Sequence, residues 1–411
     1  MLGAIADDFT GATDLATNLV TRGFKTTVTI GVPGIDFDTK VDADATVVAL
    51  KTRTAPVSEA IADSRRALSW LRGLGATKIY DKYCSTFDST ATGNIGPIAE
   101  ALMNDLGVDT SIVVPSFPDN ERTVYQGHLF VGDQLLSDSS MRNHPLTPMT
   151  ESNLTRLLSS QTSLPVHLIP LTDVRSSIET IRAHFGRDGL HILDAITTAD
   201  LQTIASATED FPLVTGGSGL ALGMTGPRRS ETARAIDIHT GYRAVLAGSA
   251  SRTTQRQVAH ARTVLPHFKV EIEQLLAAPQ ETRTRILDWA LRCWAEEPMR
   301  PVLVYSVDSS ADVAKADGIS HNPAQLLENT FAELAADVVG AGVRQLIVAG
   351  GETSGAVVQN LGIPSLDIGP QIAPGVAWAA GRASSIDINI ALKSGNFGTT
   401  DMFTSAWERL Q

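Results

Sequence analysis

A chain of 411 residues is too long for a single compact core, so two domains are expected. Its hydrophobic content of 43% and charged content of 19% exclude a disordered polymer. The net charge of −12 and the pI of about 5.2 argue against nucleic acid or an anionic membrane as the main partner. An anionic small substrate is not excluded, because a local cluster of Lys and Arg can outweigh the net charge inside a cleft.

The cysteines and the N-terminus indicate the compartment. Two scattered cysteines, Cys84 and Cys293, fit a reducing cytosol. The N-terminus has no basic region, and its apolar run ends at two aspartates, so a signal peptide is not expected. No uninterrupted apolar stretch is long enough to span a bilayer. We therefore expect a cytoplasmic protein.

Short apolar runs followed by glycine-rich or polar turns recur along the chain. Their length and composition are typical of buried strands, at 2–6, 45–50, 111–115, 167–171, 191–195, 212–219, 243–251, 301–307 and 344–355. Segments 57–75 and 322–342 place apolar residues at helical spacing between such runs. This alternation predicts an α/β fold of two domains, each a largely parallel or mixed sheet flanked by helices.

One segment interrupts that rhythm. Residues 223–241 are rich in Gly, Pro and charged residues and contain no long apolar run, which is typical of a linker. The sequence therefore predicts a substrate domain over 1–225, a linker over 226–240 and a second domain over 241–411.

The N-terminal half places charged and hydroxyl groups where predicted strands end. Asp7 and Asp8 follow the first strand, and either they cap the next helix or they face a ligand. Arg53 and Lys82 follow later strands, where they could bind a carboxylate ligand. The alternative is that these bases pair with surface acids. His128 and His144 lack the spacing of a zinc site.

The C-terminal half contains three short Gly/Ser turns, each after an aliphatic run. They are "LAGSAS" at 246–251, "VAGGETSG" at 348–355 and "LKSGNFG" at 392–398. Glycines at strand ends let backbone N–H groups approach an anion, so three such turns favour a polyphosphate site. The alternative is three ordinary tight turns. None of them matches a P-loop, and none carries the dinucleotide fingerprint.

Taken together, these motifs resemble the four-carbon acid sugar kinases over essentially the whole chain. The resemblance rests on "IADDFTGATDLA", "KYCSTFDST", "GNIGP", "LVTGGSGL", "GSAS", "GGETSG" and the long stretch from 113 to 149. It implies that the N-terminal domain binds the acid sugar and the C-terminal domain binds ATP with Mg²⁺. The implied reaction is phosphorylation of the 4-hydroxyl of 3-oxo-tetronate, with D-threonate or D-erythronate as alternative acceptors, and a homodimer is compatible with it.

The resemblance also implies which residues meet each ligand. The acid sugar would meet Asp8, Arg53, Lys82, Tyr83, Cys84 and Ser85. ATP would meet Ser249 or Ser251, the turn Gly350, Gly351, Glu352 and Thr353, and Gly395. Asp7 or Asp8 would lie near the reacting hydroxyl and accept its proton. Glu352 or a serine hydroxyl would lie near the metal, although the sequence does not identify the metal ligands.

Two other classes of protein are alternatives to a kinase. A nicotinamide-dependent hydroxy-acid dehydrogenase requires a glycine-rich fingerprint in the first strand–helix turn, and here that turn is "ADDFTG", whose acids repel a pyrophosphate. A non-catalytic sugar-acid binding protein requires an export signal and has no need of glycine turns in its second domain. Incubation with ATP, Mg²⁺ and a panel of tetronates separates the three.

Overall fold

The structure is a computed structural model that describes residues 1–34, 42–143, 147–309, 312 and 323–410. His144 lies outside the described residues. The chain divides into two compact units, Met1–Ala233 and Arg234–Gln411, and the division falls inside the segment 226–240. Within the described residues, no helix is both long enough and apolar enough to cross a membrane. Cys84 and Cys293 are both free thiols.

The first unit is built on a parallel sheet. Its strands run in the order β2-β3-β1-β4-β11-β5-β10-β9. In chain order they are β1 (Leu2–Ala6), β2 (Thr26–Ile30), β3 (Ala45–Ala49), β4 (Lys78–Lys82), β5 (Thr110–Val114), β9 (Val166–Ile169), β10 (Gly189–Leu193) and β11 (Leu213–Gly216). A small antiparallel sheet is formed by β6 (Arg122–Tyr125), β7 (His128–Val131) and β8 (Gln134–Leu135).

Helices cover the parallel sheet. They are needed there because the strands carry apolar side chains on both faces. They are α1 (Phe9–Thr21), α2 (Val57–Gly73), α3 (Ile95–Leu106), α4 (Leu154–Ser159), α5 (Leu171–Val174), α6 (Ile178–His184), α7 (Thr198–Ala207) and α8 (Ser230–Ala233). Helices α2 and α3 pack on one cluster that includes Ile5, Val48 and Ile79. Helix α1 packs on the 3-10 helix Ser218–Gly223.

The second unit is built on a mixed sheet in the order β13-β14-β12-β15-β18-β17-β16. Its strands are β12 (Tyr242–Ala247), β13 (His267–Lys269), β14 (Val302–Tyr305), β15 (Val343–Ala349), β16 (Ser365–Ala373), β17 (Val376–Ala383) and β18 (Ile386–Lys393). The first five strands in that order are parallel, whereas β16, β17 and β18 form an antiparallel meander.

The helices of the second unit include two long ones and several short ones. They are α9 (Arg252–Ala261), α10 (Ile272–Ala277), α11 (Pro279–Glu296), α12 (Pro323–Gly340), α13 (Gly351–Asn360) and α14 (Met402–Ser405). A core cluster around Trp378, Phe403 and Trp407 is buried against the sheet. The prediction of two α/β domains with parallel or mixed sheets is confirmed.

Candidate active site

The N-terminal charged residues meet at one edge of the first sheet. Strands β3, β1 and β4 are parallel neighbours, and Ala6 pairs with Ala49 on one side and with Lys82 on the other. Their carboxyl ends therefore lie level, which is where open α/β sheets bind ligands. The Asp7 N–H donates to the Lys82 carbonyl at 3.0 Å, and the Thr52 N–H donates to the Asp7 carbonyl at 3.0 Å.

The Arg53 guanidinium connects three carboxylates at this edge, and we call Arg53, Asp7, Asp8 and Asp88 the Arg53 cluster. Nε and Nη2 of Arg53 donate to the two oxygens of Asp7 at 2.8 and 2.9 Å. Nη2 also lies 2.8 Å from Asp8 Oδ1, and Nη1 lies 3.5 Å from Asp88 Oδ2. A planar guanidinium is suited to this forked pairing, which the single point charge of a lysine could not reproduce.

The two adjacent aspartates have different environments. Asp8 is the N-cap of α1, because its Oδ1 accepts the Gly11 N–H at 3.0 Å and its Oδ2 accepts the Thr10 hydroxyl at 2.9 Å. Burial opposes ionisation of Asp8, but Arg53 and Lys82 outweigh it and lower its pKa. For Asp7 burial dominates and raises the pKa. Asp8 is thus both a helix cap and an ionised group at the strand ends, while Asp7 is held by Arg53.

Lys82 lies beneath the first turn of α1. The whole residue is 2% exposed, although it carries an ammonium group. A Cβ on Gly11 would stand 2.6 Å from Lys82 Nζ and 2.2 Å from Asp8 Oδ1. Gly11 is therefore the residue that leaves space for the lysine and the carboxylate to approach the helix together. The sequence motif contains this glycine, but its spacing does not indicate that role.

A third acid on α1 belongs to the same region, and no spacing rule singled it out. Asp14 is buried, and its Oδ2 accepts a hydrogen bond from the Ser218 hydroxyl. Its Oδ1 is buried without a hydrogen-bond partner in the part of the chain that the structure describes. Burial raises the pKa of Asp14 to about 6, while Lys82 opposes this shift. The signal available in the sequence was its presence in the motif "GATDLA".

The run that follows β4 presents fewer groups to a ligand than the resemblance implied. The Tyr83 ring is buried in the core, and its hydroxyl lies 3.1 Å from the Thr215 hydroxyl. The Cys84 thiol lies 3.0 Å from Thr86 Oγ1, and burial raises its pKa to about 12. Ser85 is half-buried. Its hydroxyl and the backbone of this run are therefore the groups that could meet a ligand, and the Cys84 thiol is not activated as a nucleophile.

A small cavity lies behind the Arg53 cluster. It is lined by Asp7, Arg53, Asp81, Asp88 and Asn94, among others. Asp81 shares the sheet face of Ile79 and Tyr83 because side chains alternate along β4. Burial, assisted by the nearby charge of Asp7, raises the pKa of Asp81 to about 8. The site therefore contains a carboxyl group that is protonated at neutral pH.

The protonated state of Asp81 predicts a pH-dependent stability difference. The folded protein binds more protons than the unfolded chain between about pH 4 and about pH 8, so stability falls as pH rises through that window. Asp81→Asn removes this dependence. We expect its melting temperature, relative to wild type, to rise by a few degrees from pH 5 to pH 8. Asp63→Asn on the surface is the control, and an equal offset at both pH values for Asp81→Asn would contradict the assignment.

The glycine turns of the second unit also meet at one sheet edge. Strands β12, β15 and β18 are parallel neighbours, in which Ala247 pairs with Ala349 and Ala349 pairs with Lys393. The turns that follow begin at the same level. The Gly248 N–H donates to the Ala349 carbonyl at 3.0 Å, and the Gly350 N–H donates to the Lys393 carbonyl at 2.8 Å. We call the turns 248–251, 350–353 and 394–397 the glycine-turn cluster.

Side chains from one turn fill the space that glycine leaves in another. A Cβ on Gly248 would stand 2.5 Å from Thr353 Oγ1, and a Cβ on Gly350 would stand 2.7 Å from the same atom. A Cβ on Gly395 would stand 2.7 Å from Ser249 Oγ. Contact between turns therefore requires glycine at positions 248 and 395, and contact within the 350–353 turn requires it at position 350.

Two helices begin in the glycine-turn cluster. Ser251 caps α9 by accepting the Thr254 N–H at 3.2 Å. Helix α13 begins after Gly350, whose φ is +131°, and no side chain caps it. Its first N–H groups and its positive dipole end are therefore available to an anion. Glu352 in this first turn is exposed and has no hydrogen bond or ion pair with the described residues.

Known proteins resemble the chain over both units. The family model described as "Sugar-binding N-terminal domain" matches residues 2–224, and "Nucleotide-binding C-terminal domain" matches residues 244–403. A "3-oxo-tetronate kinase" of Pseudomonas fluorescens is 45% identical, covering 100% of this chain and 97% of the relative. One from Burkholderia multivorans is 46% identical with the same coverage. A crystal structure from Haemophilus influenzae has a TM-score of 0.83 at 41% identity, covering 100% of both chains.

Proposed function

Because this chain belongs to the family of four-carbon acid sugar kinases, with a sugar-binding N-terminal domain and a nucleotide-binding C-terminal domain, we propose that it is an ATP-dependent kinase. The proposed reaction transfers a phosphoryl group to the 4-hydroxyl of 3-oxo-tetronate. The observation that carries the proposal is identity above 40% over the full chain with relatives named for that substrate. The cytoplasmic location and the homodimer stay predictions; fractionation tests the first and sedimentation velocity the second.

In this proposal the Arg53 cluster holds the acid sugar. An ionised carboxylate only accepts hydrogen bonds, so Asp8, whose pKa is lowered, is suited to the donor hydroxyls of a polyol. Arg53 is the positive group of the cluster and keeps 21% of its side chain exposed, which suits a substrate carboxylate or a transferring phosphoryl group. Lys82 adds a second positive charge below them, and Ser85 adds a hydroxyl.

The glycine-turn cluster holds the phosphates of ATP in this proposal. Backbone N–H groups at the start of α13 and the hydroxyls of Ser249 and Thr353 would donate to phosphate oxygens. Mg²⁺ is bound in such sites through one or two carboxylates and the substrate phosphates, and the unpaired carboxylate of Glu352 fits that requirement. When bound, the cation would neutralise charge on the phosphates.

The chemistry then depends on positioning and charge more than on covalent help. Phosphoryl transfer has a loose transition state, so a group beside the attacking hydroxyl is needed chiefly to orient it and to take its proton. Asp8 can do both, because its lowered pKa keeps it ionised at neutral pH. Both oxygens of Asp7 already accept hydrogen bonds from Arg53, so Asp7 is the weaker candidate for the base.

The direct test is to incubate the protein with ATP, Mg²⁺ and a panel that contains 3-oxo-tetronate, D-threonate and D-erythronate, and to measure ADP. We expect ADP with 3-oxo-tetronate at a rate well above that with the other acids. ADP formed preferentially with D-threonate or D-erythronate would transfer the assignment to another member of the family. Absence of ADP with every four-carbon acid would overturn the kinase assignment.

The nucleotide assignment predicts a selective defect in Gly350→Ala. The φ of +131° strains any other residue, and the new Cβ would stand 2.7 Å from Thr353 Oγ1. A strained residue costs about 1–3 kcal/mol, so the KM for ATP should rise about tenfold or more. The KM for the acid sugar should stay within about twofold. Gly340→Ala is the matched control, since a Cβ there meets open space. Equal rises in both KM values would contradict the assignment.

A further inference from the structure

One carbonyl in the glycine-turn cluster receives an unusual number of hydrogen bonds. The Gly395 oxygen accepts from the Ser251 hydroxyl, from Thr254 Oγ1 at 3.0 Å and from Lys393 Nζ at 2.8 Å. The donors come from two elements, because Ser251 and Thr254 begin α9 while Lys393 ends β18. An exposed turn carbonyl is normally left to water, so three protein donors indicate that the orientation of this peptide is fixed.

Lys393 is the least expected of the three donors. Its side chain is fully buried, and its Nζ donates to Thr254 Oγ1 at 2.7 Å as well as to Gly395. It forms no ion pair with a carboxylate among the described residues, and burial lowers its pKa to about 7. An ammonium that is buried without an acidic partner destabilises a fold. Such a residue requires an explanation other than stability.

The carbonyl that Lys393 holds belongs to the middle of a turn. The Phe397 N–H donates to the Ser394 carbonyl at 3.2 Å, so Gly395 and Asn396 are the two central residues of a four-residue turn. The peptide between them can take two orientations that differ by a flip, as in turns of type I and type II. Gly and Asn tolerate both orientations. The three donors therefore select one orientation of a peptide that would otherwise have two.

Fixing the direction of the Gly395 carbonyl also fixes the direction of the Asn396 N–H. No cis peptide bond occurs in the described residues, and in a trans peptide the C=O and N–H groups point in opposite directions. Because the Gly395 carbonyl points at buried Lys393, the Asn396 N–H points away from it. Gly395 itself lies against Ser249, where a Cβ would be 2.7 Å from the Oγ atom. The Asn396 amide is thus directed away from the buried donors, and the residue before it lies against the hydroxyl of a second glycine turn.

We propose that Lys393 is a positioning residue that holds the 394–397 turn in its phosphate-binding conformation, so that the Asn396 N–H donates to an oxygen of the ATP phosphate chain. This inference rests on the proposed function. Lys393 does not touch the nucleotide; it acts through the peptide it orients. When protonated, it also places a positive charge behind that peptide, in a buried setting where water screens it little.

The test is the affinity of wild type and Lys393→Met for ATP and for adenosine, measured by calorimetry and by ligand-detected NMR. Met has nearly the same shape and lacks the charge and the donors. We expect ATP to bind about tenfold more weakly, which corresponds to loss of one charge-assisted interaction. Adenosine, which has no phosphate, should bind within about twofold of wild type. Unchanged ATP affinity, or equal losses for ATP and adenosine, would overturn the proposal.

Two further variants make the result decisive. Lys78→Met is the matched control, because Lys78 Nζ, like that of Lys393, donates to two neutral oxygens, here the carbonyls of Thr208 at 2.6 Å and Glu209 at 3.2 Å. It should leave ATP affinity unchanged. Thr254→Val removes the hydroxyl that joins Lys393 to Gly395, and it should lower the affinity for ATP about threefold. This variant tests the proposal even if Lys393→Met does not fold. Wild-type protein that fails to bind ATP would instead overturn the proposed function.

Discussion

Replacing Arg53 by methionine should reduce kcat/KM for the acid sugar by about 100-fold or more. The change leaves Asp7, Asp8 and Asp88 without the guanidinium that joins them, and removal of one partner of a buried charge pair costs about 2–5 kcal/mol. The KM for ATP should stay within about threefold, because the Arg53 cluster lies in the first unit. Steady-state kinetics with each substrate varied in turn measures both values.

Two further variants show whether the loss of activity comes from the guanidinium itself. Arg53→Lys retains the charge but not the fork, so it should fold and still lose most of the activity. Arg65→Met is the matched control, since Arg65 pairs with Asp105 at 3.0 Å on the surface of the same unit. If Arg53→Met raised the KM for ATP more than that for the acid sugar, the roles of the two domains would have to be exchanged.

Replacing Asp8 by asparagine should lower kcat by about 100-fold or more, within the range that a positioned proton acceptor contributes. Asparagine is as good an N-cap as aspartate, so the Gly11 N–H keeps its acceptor and α1 should remain capped. The substitution therefore separates the two tasks of this side chain. Single-turnover rates, which report the chemical step, are the appropriate measurement.

The control for Asp8→Asn is a variant that damages the cap and the acid together. Asp8→Ala should lose the same activity and also lower the free energy of unfolding by about 1 kcal/mol, the typical value of a lost cap. Full kcat with unchanged KM in Asp8→Asn would mean that Asp8 serves only the helix. A melting temperature for Asp8→Asn far below that of wild type would mean that the activity loss reflects unfolding.

Much of the fold could be predicted because buried parallel strands are apolar along their whole length. Strands β1, β3 and β5 read directly as such runs. The sequence did not indicate β2, in which Thr26, Thr27 and Thr29 are buried at positions that normally signal exposure. It also did not indicate β16 and β17, because Pro370 and Gly375 are turn residues and the register of this pair shifts between Ile368 and Ala373.

The site could be predicted as a set of positions but not as a network. Strand ends placed Asp7, Asp8, Arg53 and Lys82 at one sheet edge, and the register brings them level. Spacing alone could not show that one guanidinium holds three carboxylates, nor that the Tyr83 ring turns into the core. Lys393 stands inside the turn "LKSGNFG" and Asp81 directly precedes "KYCSTFDST", yet the importance of both comes from burial, which only the packed structure reveals.

Gly11 and Lys82 have a consequence for how this sequence can change. The two residues are 71 positions apart, yet they share one volume, because the Cβ that every other residue carries at position 11 would stand 2.6 Å from the lysine nitrogen. Position 11 therefore cannot be substituted while Lys82 keeps its full length. A side chain at position 11 becomes tolerable only after Lys82 has been shortened and the Asp8 carboxylate, 2.2 Å from the same Cβ, has moved, and the first of these steps removes a charge from beside Asp8. The order of substitutions is constrained, so this pair should resist gradual exchange during evolution.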